Sequence, residues 1–308
     1  MPTEELEIPV PQPAPARQAL DERLRVAFQG ELGAYSEEAV HALWRGEAEP
    51  IGMSTFEDVM IAAETGAVDY GLLPIESTLT GGMDHAYDLL SLHEELRIVA
   101  EVVVEVHLAL LVLPGATLDQ VRTLASHPVM LGQCSHFLAR HAHIKPKVFW
   151  DTAGAARRVR ELEDPSRAAA CSLRAAERFG LHVLKERIED RPDCMMRFLA
   201  VATDAVTVPA GAPARTAILC VLPHDAGALV SLLQPLADAG FNVSHLATHP
   251  TREPWRYWYF LEFDHPGGDP RVKEALTVAR AVSAEFRWLG TYERWPLPES
   301  MLERAFPI

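Results

Sequence analysis

Short apolar runs of strand-forming residues alternate with segments of helical periodicity from Leu24 to Ala202. The run LRVAF begins this pattern, VDYGLL ends at a proline, and RFLAV lies near its end. Strands that are separated by helices are typical of α/β folds with mostly parallel sheets. The sequence therefore predicts an α/β domain over residues 23–202, with a helix from Met130 to His141 among its elements.

The rest of the chain has a different order of elements. Residues 203–214 are rich in proline, glycine and small side chains, which predicts a linker. Beyond it, the order strand, helix, strand, strand, helix, strand predicts a compact ferredoxin-like βαββαβ domain over residues 215–293. Residues 1–22 are acidic and proline-rich and predict a disordered tail, and residues 294–308 predict a C-terminal tail.

Composition and charge argue against several classes of protein. The 308 residues include 43 acidic and 28 basic ones, and the net charge of −15 argues against a nucleic-acid partner. A few local cations still allow an acidic protein to bind a small anion. The four cysteines have no metal-ligand spacing, so we expect no metal, no disulfide and no cofactor. We see no signal peptide and no membrane-length apolar run, which predicts a cytoplasmic protein without membrane contacts.

Several motifs occur in the order and at the spacing of one known family. They are FQGELGAYSE, LLPIES, SHPVMLGQC, DTAGAA, AAERFGL and RFLAV, followed downstream by GALV and PWRYWYFLEF. In this combination the chain resembles the prephenate dehydratase family over roughly residues 24–292. The resemblance implies a two-lobed, periplasmic-binding-protein-like dehydratase domain followed by an ACT regulatory domain. It also implies an anionic substrate, prephenate or an analogue, and a homodimer or tetramer.

The reaction of that family indicates which residues matter most. Prephenate loses water and carbon dioxide together, so its hydroxyl must leave with a proton from a positioned donor, an effect worth about 10²–10⁴-fold. In the family pattern the donor is the threonine of a TRF triplet, which reads Met196-Arg197-Phe198 here. The family asparagine two residues earlier is Cys194, and PIENS becomes PIEST. Methionine cannot donate a proton, so we expect a narrower and drier pocket at Met196.

The resemblance implies a set of site residues around this triplet. We predict that Arg197 binds a substrate carboxylate, that Thr152 orients the substrate, and that Ser77 or Thr78 replaces the missing donor. Other residues implied to line the substrate site are Glu76, Phe198, Met196 and Gly81. Each has a structural alternative: an ion pair for Arg197, a helix-start hydroxyl for Thr152, local backbone bonding for Ser77 and Thr78, and core packing for Met196.

In the second domain, the resemblance implies an effector site for phenylalanine. It is placed at the start of the first helix of that domain, with a contribution from the following strand: Gly227, Ala228, Leu229, Val230 and Asn242. The segment that usually reads ESRP in the family is Ala247-Thr248-His249-Pro250 here. Close packing of the GALV segment is the structural alternative.

Three functional hypotheses remain open at this point. The first is a lyase that converts prephenate to phenylpyruvate in L-phenylalanine biosynthesis, with weak turnover because the threonine is missing. The second is a decarboxylase that acts on prephenate without aromatising it. Met196 removes the proton donor for the hydroxyl, while the predicted carboxylate-binding residue Arg197 is kept. The third is an inactive ligand-binding or regulatory paralogue.

Overall fold

The computed structural model describes residues 23–296, and its strands form three sheets. The first lobe begins with β1 (Leu24–Gln29), α1 (Tyr35–Leu43), β2 (Ala48–Met53), α2 (Phe56–Glu64), β3 (Tyr70–Ser77), β4 (Gly81–Gly82), α3 (Asp84–Leu92) and β5 (Arg97–Glu105). The second lobe follows with β6 (Ala109–Val112), β7 (Thr123–Ser126), α4 (Pro128–Gly132), α5 (Ser135–Arg140), β8 (Lys145–Val148), α6 (Thr152–Leu162), β9 (Arg167–Cys171), α7 (Leu173–Phe179) and β10 (His182–Lys185).

The chain then returns to the first lobe and ends in a third unit. Strand β11 (Met195–Ala202) completes the first sheet. The third unit consists of β12 (Pro213–Val221), α8 (Ala228–Asp238), β13 (Asn242–Pro250), β14 (Tyr257–Pro266), α9 (Arg271–Val282) and β15 (Glu285–Glu293). Its strand order, β13-β14-β12-β15, is that of the predicted βαββαβ unit.

The first two sheets combine parallel and antiparallel strands. The first has the order β2-β1-β3-β11-β5, in which β1 is parallel to β2 and β3 while β11 is antiparallel to β3 and β5. The second, β10-β6-β9-β7-β8, is likewise parallel in one half and antiparallel in the other. The prediction of mostly parallel sheets is wrong. The chain crosses between the lobes after β5 and again after β10, and the strands on either side of these crossings (β5, β6, β10 and β11) are antiparallel to their neighbours.

The helix predicted from Met130 to His141 is interrupted. The chain forms α4 and α5 instead, and both oxygens of the Asp190 carboxylate accept backbone N–H groups at the start of α5. These bonds run from Ser135 at 3.0 Å and from His136 at 2.9 Å. A carboxylate that satisfies free N–H groups stabilises a helix start, so a second helix begins where the periodicity predicted continuity.

Three apolar cores hold these units together. One runs through both lobes and contains Phe28 and Phe198 as well as Phe137 of the second lobe. Another joins the first sheet to the third, and the last lies between the third sheet and its own helices. The sheet of the third unit is therefore covered on both faces, by helices on one side and by the first lobe on the other.

The predicted tails lie mostly outside the described residues, since residues 1–22 and 297–308 are not covered. The first residues after β15 contact both the first lobe and the third unit. The Trp295 N–H donates to the Glu101 carboxylate at 2.9 Å, and Arg294 forms an ion pair with Asp264 at 3.3 Å. The chain is thus still part of the folded body at residue 295.

Strand β15 approaches the first sheet closely at one glycine. A Cβ atom added to Gly290 would lie 2.1 Å from the carbonyl oxygen of Ile98 in β5. The backbone at Gly290 also has a positive φ of 149°. Only glycine allows both the contact and the conformation without strain.

We expect Gly290→Ala to destabilise the protein by about 1–3 kcal/mol, because the new methyl group must push β15 away from β5. Chemical denaturation would measure the change in the free energy of unfolding. Gly46→Ala is the matched control, since Gly46 also has a positive φ of 78° but open space at its Cβ position. Equal losses in the two variants would show that backbone strain alone, and not the approach to Ile98, is responsible.

Candidate active site

The pairing of β3 with β11 determines on which side each predicted site residue lies. Met196 pairs with Ser77, and the neighbouring pair along the strands is Arg197 with Glu76. Because side chains alternate along a strand, the two pairs project from opposite faces of the first sheet. We call the face with Met196 and Ser77, which borders the core shared by the lobes, the cleft face. The face with Arg197 and Glu76, which contacts the third unit, is the docking face.

Two predicted donors lie at the end of β3, and they differ in how their hydroxyls are used. The Thr78 hydroxyl accepts the Met195 N–H at 2.9 Å and donates to the Asp193 carbonyl at 3.3 Å, so it serves the start of β11. The Ser77 hydroxyl accepts the Leu79 N–H at 3.2 Å and lies opposite Met196. Of the two predicted donors, Ser77 is therefore the one that lies opposite position 196.

The Cys194 thiol adds to this corner of the cleft. Its side chain is buried, and burial raises its pKa while a hydrogen bond with Ser77 acts in the opposite direction. Met196 itself is half-buried and packs against the core that runs through both lobes. The position that carries the threonine in the family pattern thus has an apolar side chain, flanked by one hydroxyl and one thiol.

Thr152 lies on the second lobe, at the first residue of α6. Asp151 caps this helix by accepting the Gly154 N–H, and Thr152 is buried. Burial raises the pKa of the Cys171 thiol to about 12, and a hydrogen bond with Thr152 acts in the opposite direction. The neighbouring Ser172 donates to the Gly33 carbonyl of the first lobe at 2.8 Å. Thr152 therefore sits at the junction of the lobes, and its predicted orienting role stays a prediction.

Sequence reasoning missed other polar residues at this junction. The Tyr35 hydroxyl donates to the His107 carbonyl at 2.6 Å, and burial, together with the nearby Cys171 thiol and Glu38, raises its pKa. Burial also raises the pKa of Glu38, although Arg174 on α7 lowers it in part. Tyr35 stands in the quoted motif GAYSE, so the signal was present in the sequence, whereas Arg174 has no motif that points to it.

Arg197 does not face the cleft, and its predicted grip on a substrate carboxylate is corrected by its contacts. Its Nε donates to Glu101 at 2.7 Å, and its Nη1 donates to Glu76 at 3.0 Å and to Glu262 at 2.7 Å. Its Nη2 donates to Glu262 at 2.6 Å and to the Tyr292 hydroxyl at 3.2 Å. A guanidinium has five N–H groups. All of them are used within the protein, so none remains for a substrate.

Glu76 belongs to the same docking face and joins the first lobe to the third unit. Besides Arg197, its carboxylate contacts the Nδ1 of His245 in β13 at 3.3 Å. The hydrogen bond from His245 and the charge of Arg197 lower the pKa of Glu76 to about 2, against the opposing effect of burial. The Tyr87 hydroxyl in α3 is 2.8 Å from the other ring nitrogen of His245. Glu76 is thus a docking residue in this structure and not part of the cleft lining.

The remaining predicted residues fall into separate places. Phe198 is fully buried in the core that runs through both lobes, after a register shift in β11 between residues 197 and 198. Gly81 is exposed in the short β4, with a positive φ of 76°. The predicted effector residues Gly227, Ala228, Leu229 and Val230 line one surface pocket of about 430 Å³ in the third unit. Asn242 is exposed at the start of β13 and is not part of that lining.

Within residues 23–296, no group of three or more His, Cys, Asp or Glu side chains is arranged to hold a metal ion. No helix in this described part of the chain is long and apolar enough to cross a membrane.

Two known family models match most of the chain. The model of prephenate dehydratase matches residues 26–206, and the model of the ACT domain matches residues 216–281. The chain belongs to the prephenate dehydratase family. The two-lobed, periplasmic-binding-protein-like fold and the C-terminal ACT domain, which is the third unit, are thereby confirmed.

Curated relatives of the chain are dehydratases of two related substrates. The bifunctional chorismate mutase/prephenate dehydratase of Escherichia coli (strain K12) is 32% identical over 273 residues, which cover 87% of this chain and 70% of that protein. Arogenate dehydratase 2 of Petunia hybrida is 30% identical over 285 residues, covering 88% of this chain and 72% of the relative.

Solved structures of similar proteins share the whole architecture. Prephenate dehydratase from Arthrobacter aurescens in complex with L-Phe has a TM-score of 0.81 and 28% identity, covering 92% of this chain and 97% of that one. A protein described as GqqA, a novel type of quorum quenching acylase, also has a TM-score of 0.81, with 31% identity. This match covers 88% of the present chain and 98% of GqqA.

The lowered pKa of Glu76 makes stability depend on pH in a defined window. A carboxyl whose folded pKa lies below its unfolded pKa stabilises the fold fully above the unfolded value and loses that effect as pH falls. For Glu76 the window runs from 4.5 down to about 2. We expect the stability difference between the protein and Glu76→Gln to shrink by about 1–2 kcal/mol across it, less than the full shift because about a third of the side chain is exposed.

Denaturant unfolding at a series of pH values would measure this difference. Glu253→Gln is the control, since Glu253 forms an exposed ion pair with Arg256. Its curve should run parallel to that of the unmodified protein. A parallel curve for Glu76→Gln as well would contradict the assignment of a stabilising, charged Glu76.

Proposed function

We propose that the protein is a carbon–oxygen lyase that converts prephenate to phenylpyruvate, with slow turnover, in L-phenylalanine biosynthesis. The observation that carries this proposal is the match of the prephenate dehydratase model to residues 26–206, which contain both lobes and the cleft face. Relatives with 30% identity or more act, by their names, on prephenate or arogenate. Arogenate is therefore the second substrate to be tested.

The slow rate follows from the proton donors that remain at the cleft face. A positioned acid contributes about 10²–10⁴-fold to such a step, and Met196 has no proton to give. Ser77 lies opposite Met196, and its hydroxyl oxygen accepts the Leu79 N–H, so its proton is available to a substrate hydroxyl. Thr78 donates to a backbone carbonyl and is less available. We therefore assign the donor role to Ser77 and not to Thr78.

The cation that binds a substrate carboxylate must be a residue other than Arg197. Arg174 lies at the junction of the lobes on α7, where its Nη1 is 4.0 Å from Glu37. Its Nε is buried and has no hydrogen-bond partner among the described residues. An arginine with a free donor binds a carboxylate strongly.

A decarboxylase that leaves the ring hydroxyl in place is the second candidate. The apolar Met196 at the position that the resemblance assigns to the family acid favours it, because decarboxylation without dehydration needs no proton on the hydroxyl. The electron pair left by carbon dioxide is instead taken up by a proton from water at a ring carbon. The two candidates give different products from the same substrate.

For the ACT domain, we propose phenylalanine as a ligand and a dimer as the working assembly. A family member of 28% identity was solved with L-Phe bound. The pocket at Gly227–Val230 would supply the backbone N–H groups of a helix start to an amino-acid carboxylate.

Incubation of the pure protein with prephenate, followed by proton NMR, tests the function directly. We expect phenylpyruvate to form faster than in a protein-free control. A hydroxylated, non-aromatic keto acid as the product would instead establish the decarboxylase. Unchanged prephenate, together with unchanged arogenate in a parallel sample, would exclude both enzymes and leave the inactive ligand-binding or regulatory paralogue.

We expect Met196→Thr to increase phenylpyruvate formation about 10²-fold, because it restores a hydroxyl opposite Ser77. Met196→Val is the matched control, since valine has the shape of threonine without a proton donor. The rates are compared by following phenylpyruvate under saturating prephenate. Equal rates in the two variants would mean that space at position 196, and not the hydroxyl, limits the reaction.

A further inference from the structure

We propose that Glu262 of the ACT domain is a positioning residue for the cleft, because it holds Arg197 and thereby fixes the β11 backbone at Met196. The inference rests on the proposed function only in that the cleft face is taken as the place where substrate binds. It assigns to the ACT sheet a direct part in building that face.

Glu262 and Arg197 form a buried, bidentate ion pair between the ACT sheet and the first lobe. Both Nη atoms of Arg197 bond to the Glu262 carboxylate, at 2.6 and 2.7 Å, and the Tyr292 hydroxyl donates to the same carboxylate. All three side chains are buried, and Glu262 is 0% exposed. Burial raises the pKa of Glu262, but the charge and hydrogen bonds of Arg197 outweigh it and keep that pKa below its usual value. The pair is thus held in its charged form, with two parallel hydrogen bonds.

The guanidinium also bonds to both strands that flank β11. Glu76 comes from β3 on one side, and Glu101 comes from β5 on the other. Arg197 therefore connects three adjacent strands of the first sheet through side-chain hydrogen bonds. Glu262 approaches it from the ACT side and completes its set of acceptors.

The pairing of β11 with β3 is irregular at this point. Its register shifts between Arg197 and Phe198, where β3 contains the additional residue Ile75, whereas the pairing of β11 with β5 continues through both residues. On the other side of Arg197 stands Met196, whose partner in β3 is Ser77. Because the ladder to β3 is interrupted here, the buried bonds from Arg197 to Glu76 and Glu262 help to hold β11 against β3. The position of Met196 relative to Ser77 therefore depends on a carboxylate in another domain.

Hydrogen exchange of the β11 amides tests the proposal without any need for turnover. In Glu262→Gln, we expect the amides of residues 194–198 to exchange about tenfold faster than in the unmodified full-length protein, as measured by mass spectrometry. The matched control is Arg287→Met. Arg287 in β15 donates to the carbonyls of Ser91 at 3.1 Å and His93 at 2.7 Å, so it joins the same two domains without contacting Arg197.

The comparison is made at denaturant concentrations that give both variants the same free energy of unfolding. Faster exchange at residues 194–198 in Glu262→Gln alone supports the proposal. Equal exchange rates at residues 194–198 in both variants overturn it, because the loss of any contact between the ACT domain and the first lobe would then have the same effect. If Glu262→Gln does not fold, Tyr292→Phe replaces it, because that variant removes only the hydroxyl that bonds to both Glu262 and Arg197.

Prephenate binding provides the second readout and separates this inference from the proposed function. Calorimetric titration of the unmodified protein with prephenate shows first whether the cleft binds it. Given binding, we expect Glu262→Gln to weaken it about tenfold and Arg287→Met to leave it unchanged; equal affinities in all three proteins would overturn the proposal. Absence of binding in the unmodified protein would contradict the proposed function, while the exchange result would still decide the role of Glu262.

Discussion

A buried guanidinium that is shared by three carboxylates organises this protein. Removing the charged groups of Arg197 and its partners from water costs free energy, and only complete hydrogen bonding among them offsets this cost. The loss of any one of the three carboxylates would therefore leave a buried donor of Arg197 without an acceptor. Glu76 and Glu101 come from the first lobe and Glu262 from the ACT domain. Arg215 of the ACT domain extends the cluster, because it bridges Glu101 at 2.9 Å and Asp264 at 2.7 Å. The orientation of the two domains is thus fixed by charge pairing as well as by the apolar core between them.

The arrangement on the two faces of β11 explains how the chemistry of the cleft can change while the fold is kept. Position 196 points to the lobes, and position 197 points to the ACT domain. A different side chain at position 196 changes the cleft face and leaves the hydrogen bonds of the Arg197 guanidinium intact on the docking face. The docking face and the apolar cores maintain the fold of the family, and in the function proposed above the reaction depends on a few side chains of the cleft face.

Much of the fold could be predicted from the sequence, and the site only in part. Motif order gave the family, and strand and helix patterns gave the βαββαβ unit. The role of Arg197 could not be predicted, because a motif specifies which residue follows Met196 but not which face of the sheet each one occupies. That depends on the register with β3. Pro74, which pairs with Phe198 and has no N–H group, is a signal for the register shift, but a proline does not specify which strand lies beside it. Glu262 did leave a signal, since it is a single carboxylate in the otherwise apolar run YWYFLEF, where an unpaired charge would be costly.

The close approach at Gly290 limits how far the ACT domain is an independent module. A module that can be exchanged between proteins needs a surface that tolerates many partners. Here the sheet meets the first lobe through a glycine that admits no side chain and through a carboxylate that leaves no guanidinium donor free. An ACT domain transplanted from another protein would have to bring a glycine and an acid to the same two positions. A substitution at either contact in one domain therefore affects the other domain, although the ACT domain has a core of its own.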